Sequence, residues 1–221
     1  MPGVDLIVAL QLRQTGEGEH DLAEAAAEAV GAKPLLARAG AYFHDIGKLK
    51  RPMYFKENQF GGDNPHDALP YEESADILLK HVSDGVRLAS QYHLPSAVKD
   101  IIAQHHGTTT TGYFLYKAKS ENPDVDASRF TYPGPVPQSK EATIIMLADA
   151  CEAAVRAMRE KGAVETREVI DNIVATRLSE GQLSDTNLTF SDLEKVKASF
   201  VKTLDQYFHK RIIYPQNEKK D

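Results

Sequence analysis

The sequence predicts an all-α fold, and three observations carry that reading. Apolar residues recur at helical spacings of three and four in eight separate segments. No stretch alternates apolar and polar residues as a half-buried strand would, and no internal repeat is present. Capping residues, Pro and Gly fall where those segments start and stop.

In chain order, Asp21 followed by Glu24 reads as a capping box ahead of an Ala-rich helix that should stop near Gly31. Pro34 suits the first residue of a second helix, which runs through Leu35, Leu36, Ala39 and Tyr42 to His44 and Asp45. Residues 50–69 are rich in Gly, Pro, Asn and aromatics and read as a long loop. A third helix is expected from Tyr71 to Tyr92, with Ala75, Leu78, Leu79, Val82, Val86 and Leu88 on its apolar side. Pro95 opens a fourth, ending at His105-His106-Gly107.

A short helix should follow from Tyr113 to Lys119. Residues 120–138 hold Pro123, Pro133, Pro135 and Pro137 and cannot be continuous helix. A loop of that length inside a compact domain is more often functional than neutral. The remaining helices are expected at Ser139–Lys161, carrying Asp149, at 165–180, and at 191–210, the last begun by a capping box of Ser191 and Glu194.

The 221 residues suffice for one domain with a sizeable core, with or without a small helical addition. Charged residues make up 26% and hydrophobic residues 42%, a globular rather than disordered balance. The net charge of −6 argues against a binder of nucleic-acid polymers. It leaves an anionic substrate open, because a metal site can reverse the local potential. The single cysteine, Cys151, allows no internal disulfide, fits a reducing compartment, and reads as a small core residue. The early apolar run Val4–Leu12 is too short to span a membrane and lacks signal-peptide flanks. The expectation is a soluble protein or a soluble fragment.

Of the eight histidines, His20, His66, His93 and His209 read as core or surface residues. The other four fall with two aspartates into an ordered set: His44-Asp45, His81, His105-His106 and Asp149. Each lies on or at the end of an expected helix, so rigid elements can project imidazole and carboxylate into one cavity. These ligand types suit iron, manganese, zinc or nickel, and the lack of cysteine ligands disfavours a structural zinc site. Six ligands are too many for one catalytic ion that keeps an open position. They suit two ions sharing a bridging carboxylate. Lys48 follows His44 by four residues and, if the helix persists, shares its face, which makes a substrate-phosphate contact the preferred reading. Lys50 and Arg51 are weaker substrate candidates. Glu152 reads as a surface residue or one supporting the ligands.

The run His44-Asp45-Ile46-Gly47-Lys48 resembles the signature of the HD superfamily of metal-dependent phosphohydrolases. Further stretches are similar to one branch of it: Leu22–Val30, Leu35–Gln59, Asn64-Pro65-His66, His81-Val82-Ser83-Asp84-Gly85, His105-His106-Gly107-Thr108, Leu147-Ala148-Asp149 and His209–Pro215. That branch is the seven-transmembrane HD family, whose cytoplasmic domain hydrolyses the bacterial second messenger cyclic di-AMP. The resemblance implies an HD-domain helical bundle over residues 21–215, followed by a charged tail, 216–221. It implies two divalent transition-metal ions, iron or manganese, one on His44, Asp45 and Asp149 and the other on His81, His105 and His106, with Asp45 bridging. A hydroxide bridging the metals would attack phosphorus and open the ring to a linear dinucleotide, with Asp45 and Lys48 as catalytic residues. The partner implied is the cyclic dinucleotide. The chain would be the cytoplasmic domain of a bacterial inner-membrane protein, attached to a transmembrane region outside the fragment.

The resemblance stops near residue 20. The family's first ligand is a histidine on the opening helix, in a His-Ser motif seven residues before the leucine matching Leu22, and Thr15 stands there. Three explanations are open for residues 1–20: an artificial or altered chain start, which is favoured, a genuine divergence, or His20 taking over the role. Five helical steps rotate about 140° net, so His20 would need a shift of register to do so. Two alternatives follow, an HD phosphohydrolase acting on another nucleotide, and a nucleotide-binding module whose catalysis is impaired for want of that histidine.

Overall fold

A computed structural model of the chain describes residues 18–59, 63–162 and 165–210. Among these lie α1 (Glu19–Ala29), α2 (Pro34–Phe43), α3 (Tyr71–Gln91), α4 (Ser96–Gln104), α5 (Gly112–Glu121), α6 (Lys140–Arg159), α7 (Thr166–Ser179) and α8 (Phe190–Lys210). The expected loop at 50–69 winds as short 3-10 turns, beginning with Ile46–Lys50, and another such turn, Ala127–Phe130, precedes α6. The extended pairing among the described residues is one isolated antiparallel bridge between Thr110 and Thr131. The all-α expectation holds. No helix of the described residues is long and apolar enough to cross a membrane.

The main core forms around α6, which is buried on all sides over its first two and a half turns, through Ala142, Ile144, Ile145, Leu147 and Ala148. Against it lie the small side chains of α1 (Ala23, Ala26, Ala27), which let the two helices approach closely, with Ala37 and Ala41 of α2 and Phe200 and Leu204 of α8. A second cluster, Ile46, Leu88, Ala89, Val98 and Ile102, joins the 3-10 turn at 46–50 to α3 and α4. Cys151 is fully buried in the main core, where burial pushes its thiol up to about 12, as expected of an inert packing residue.

The helix ends correct three details of the sequence reading. Asp21 and Glu24 form no capping box. α1 starts three residues earlier, after Gly18, and both carboxylates pair with Arg38 of α2. At α8 the reciprocal cap is made by Thr189 and Asp192, not Ser191 and Glu194: the Asp192 N–H donates to Thr189 Oγ1 at 3.1 Å and the Thr189 N–H to Asp192 Oδ2 at 3.2 Å. Glu194 pairs with Arg167 and Lys197 instead. Helix α2 ends at Phe43, so His44 caps it, and Lys48 is reached through a 3-10 turn rather than along a continued α-helical face.

Two glycines fix where that turn sits. A Cβ on Gly47 would lie 1.8 Å from the His81 carbonyl oxygen and 2.6 Å from the Gly85 nitrogen, and one on Gly85 would lie 2.8 Å from the Ile102 side chain. The turn carrying Asp45 is therefore pressed onto the backbone of α3 at the level of His81, an approach open only to a residue without a side chain. Gly47→Ala is expected to destabilise the fold by about 1–3 kcal/mol or more, the range for overpacking a rigid contact. Urea unfolding of the two proteins measures this, and equal midpoints would show that the turn can back away.

Candidate metal centre

All six metal-ligand candidates come together. The ligand atoms of Asp45, His81, His105 and His106 lie within 4.8 Å of one another, and so do those of Glu19, His44 and Asp149. Asp45 connects the groups. Its Oδ2 is 3.1 Å from His44 Nε2, while its Oδ1 is 3.3 Å from His81 Nε2 and 3.7 Å from His105 Nε2.

Three of the histidines are oriented by their own helices. The Nδ1–H of His44 donates to the Ala41 carbonyl at 2.8 Å, that of His81 to Leu78 at 2.5 Å, and that of His105 to Ile102 at 2.8 Å. His44 and His105 cap α2 and α4, where the last-turn carbonyls lack helical partners and are free to accept. A proton held on Nδ1 leaves the Nε2 lone pair facing the cavity, the tautomer a metal ligand needs. His106 is held differently, stacked on Tyr132 with ring centroids 4.3 Å apart. Beyond the doublet, Gly107 adopts φ +53°, and Gln182 receives the Thr108 N–H at 2.9 Å, fastening the chain exit.

Lys48 is half-buried, with its ammonium 2.6 Å from Asp45 Oδ2 and 2.5 Å from Glu57 Oε1. Burial would raise the Asp45 carboxyl, but His44 and Lys48 overcome that and hold it well below the usual carboxylate range. Burial opposes charge on His44, yet the Asp45 and Glu19 carboxylates lift its pKa to about 10. Burial lowers His105 to about 4, and burial with the neighbouring His105 takes His106 well below its ordinary value.

The donor set fits divalent ions. His44 Nε2, Asp45 Oδ1 and Glu19 Oε1 are buried and make no hydrogen bond, and atoms so placed are costly unless something pairs with them. His81 Nε2 and His105 Nε2 stand 3.2 Å apart. With both Nδ1 atoms donating to backbone, their lone pairs oppose each other until a cation lies between.

Lys50 and Arg51 are exposed. His20 stacks on Tyr42 at 4.7 Å, beside Asp21, and takes no place in the centre. The Nε2–H of His66 donates to the Tyr54 carbonyl at 2.9 Å, and His93 follows the end of α3 at φ +56°. Thr15 and the tail 216–221 lie outside the described residues. Sequence reasoning passed over three residues. One is Glu19, since an acid in a first helical turn ordinarily signals the helix dipole. Burial lifts its carboxyl to about 8, against the pull of His44. Phe55 and Tyr132 wall the cluster, at 5.8 and 6.0 Å from the His81 ring. No spacing marks an aromatic in a loop, although Tyr132 does belong to the 120–138 loop expected to be functional.

Comparison with known proteins gives concordant matches. A model of the HD domain matches residues 20–154. The cyclic-di-AMP phosphodiesterase PgpH of Bacillus subtilis is 46% identical over 200 residues, covering 90% of this chain and 28% of that protein. PgpH of Listeria monocytogenes is 41% identical over 222 residues, covering 98% of this chain and 31% of the relative. The chain thus spans under a third of the length of these curated relatives. The crystal structure of the L. monocytogenes PgpH HD domain in complex with cyclic-di-AMP aligns at TM-score 0.82 and 39% identity, covering 90% of this chain and 97% of that one.

The raised pKa of His44 sets a pH dependence. Below about 10 the metal-free chain holds a proton on His44 that an incoming ion must displace. Metal binding is expected to release about one or two protons and to weaken as pH falls, because ligands must be deprotonated. Calorimetry in buffers of different ionisation enthalpy counts the protons, and zero release would contradict coordination through His44. In the metal-free protein, the stability His44 contributes is fully present below its ordinary 6.5 and lost as pH rises through 10. His105 acts oppositely, destabilising the fold as pH falls from 6.5 toward 4.

Proposed function

The chain belongs to the HD-domain family, and on that premise we propose that it is a dinuclear-metal phosphodiesterase that opens cyclic di-AMP to a linear dinucleotide. The observation that carries the reading is Asp45, whose two oxygens face two different sets of imidazole and carboxylate donors. A carboxylate so placed would serve both ions of a dinuclear pair. His44, Asp45, Asp149 and, across the bridge, His81, His105 and His106 would hold them. Iron or manganese fits this mixture of nitrogen and oxygen ligands. When bound, the pair supplies a nucleophile at neutral pH by lowering the pKa of water and draws charge from the phosphoryl oxygens.

The chain's own residues account for the rest. In ring opening, one P–O bond of the ring breaks, hydroxyl adds to phosphorus, and a proton goes to the leaving sugar oxygen. Asp45 is kept ionised by His44 and Lys48, so its charge is available across the working pH range. Lys48 stays close to the reacting phosphate because Asp45 and Glu57 hold its ammonium from either side. There it positions the bridging carboxylate and offsets negative charge on the phosphoryl group. Phe55 fronts both the histidines and a hollow of about 420 Å³ lined also by Tyr54, His66 and Phe114. Aromatic surface of this kind suits a stacked purine. The relative crystallised with cyclic-di-AMP supports that substrate, and the greater length of the relatives leaves room for the membrane region to which this chain, on the reading proposed, is attached on its cytoplasmic side.

Hydrolysis assays over cyclic dinucleotides, linear dinucleotides and nucleoside triphosphates test the substrate. Cyclic di-AMP is expected to be the preferred one, and tight binding without product under every divalent metal would instead mark a binding module. Asp45→Asn is expected to abolish turnover while the circular dichroism spectrum stays helical. Near-normal turnover would sink the bridged mechanism. Lys48→Ala is expected to keep its metal while the rate drops about 10²–10³-fold, the loss seen when a transition-state charge donor is removed.

A further inference from the structure

Glu19 is the second residue of the described chain and the first of α1, and its side chain turns inward. Only 5% of it is exposed. Oε1 has no hydrogen-bond partner, lies 3.6 Å from His44 Nε2, and falls within 4.8 Å of the Asp149 carboxylate. Like charges surround it: Asp45, Asp149 and Glu152 all act on it with negative charge, while His44 attracts it. An exposed acid at a helix start needs no explanation, since it faces water and the helix dipole. A buried one among three other carboxylates does, because an unpaired charge loses its hydration with no return.

We propose that Glu19 is a metal ligand of this chain, which makes the His44 half of the centre an oxygen-rich site unlike the half on the other side of Asp45. This rests on the two-ion reading given above. The donors on the Glu19 side are three carboxylates, from Glu19, Asp45 and Asp149, and one imidazole, from His44. On the other side they are three imidazoles, from His81, His105 and His106, and one oxygen of Asp45. Carboxylate oxygen suits manganese and magnesium, whereas imidazole suits zinc, iron, copper and nickel. The two halves therefore differ in affinity and in the ion each prefers, with manganese favoured beside Glu19. The competing account is a neutral Glu19 that merely fills the start of α1. Glutamine would fill that space equally well but cannot supply an anionic oxygen.

The experiment uses the full chain, stripped of metal, titrated with manganese and with zinc, and follows ions bound by calorimetry and the electron paramagnetic resonance of Mn(II). The wild-type chain is expected to take two manganese ions and give an exchange-coupled spectrum. Glu19→Gln is expected to keep one ion and lose the coupling, with the second ion weakened about 10–100-fold or more, since even supporting residues of a metal site are worth that much. Glu19→His is expected to regain the second ion and to shift its preference from manganese toward zinc. Two ions of unchanged affinity and a coupled spectrum in Glu19→Gln would overturn the ligand role alone. A wild-type chain that takes one ion overturns the two-ion reading itself, before any variant is made. Should Glu19→Gln fold poorly, Glu19→His decides, and an unshifted manganese-to-zinc preference overturns the role.

Discussion

Everything in this structure is arranged around the Asp45 carboxylate and the positive charge that must meet it. The group sits at the C-terminal end of α2, where the helix has just stopped. The ends of α2 and α4 and the middle of α3 deliver ligand atoms to within a few ångströms of it, and the third turn of α6 brings Asp149 within 4.8 Å of the His44 nitrogen. In water, charges at such distances interact by about 1 kcal/mol, and burial multiplies that several-fold. The same burial makes an unmatched charge severe. The fold therefore sets His44 and Lys48 against Asp45, and it leaves the second face of the carboxylate, Oδ1, without a hydrogen bond.

The helices supporting this carboxylate were legible in the sequence because their patterns are long and repetitive. α3 and α6 each sustain an apolar face over twenty residues, and no local competitor can mimic that. Their ends were less legible. Ser191-Glu194 and Thr189-Asp192 are equally good capping boxes on paper, and tertiary pairing of Glu194 with Arg167 and Lys197 decided between them. The first-helix box failed for a similar reason, since Arg38 claims both of its acids. Local rules rank such alternatives, and partners from elsewhere in the chain choose among them.

The candidate centre was legible to the extent that its chemistry sits in short, ordered doublets. His44-Asp45 and His105-His106 announce themselves, and His81 and Asp149 follow from helical spacing and resemblance. Glu19 did not announce itself, because one acid in a divergent Gly-rich opening carries no local sign of facing inward. Its burial is a property of how α1 lies on α2 and α6, set by Ala23, Ala26 and Ala27, not of its neighbours in sequence. Lys48 was placed near the right atoms for a reason that did not survive. It contacts Asp45 across three residues of a 3-10 turn, because Gly47 lets that turn collapse onto α3.

His44, His81 and His105 each take their bearing from a carbonyl three residues back in the same helix. Each ring thus takes its orientation from its own helix. When the bundle breathes, such rings translate with their helices without swivelling. The aim of every lone pair is preserved while the gap it must span changes. A centre mounted in this way accommodates ions of different radius by small adjustments in helix spacing, and spares each substitution of metal a rearrangement of side-chain rotamers.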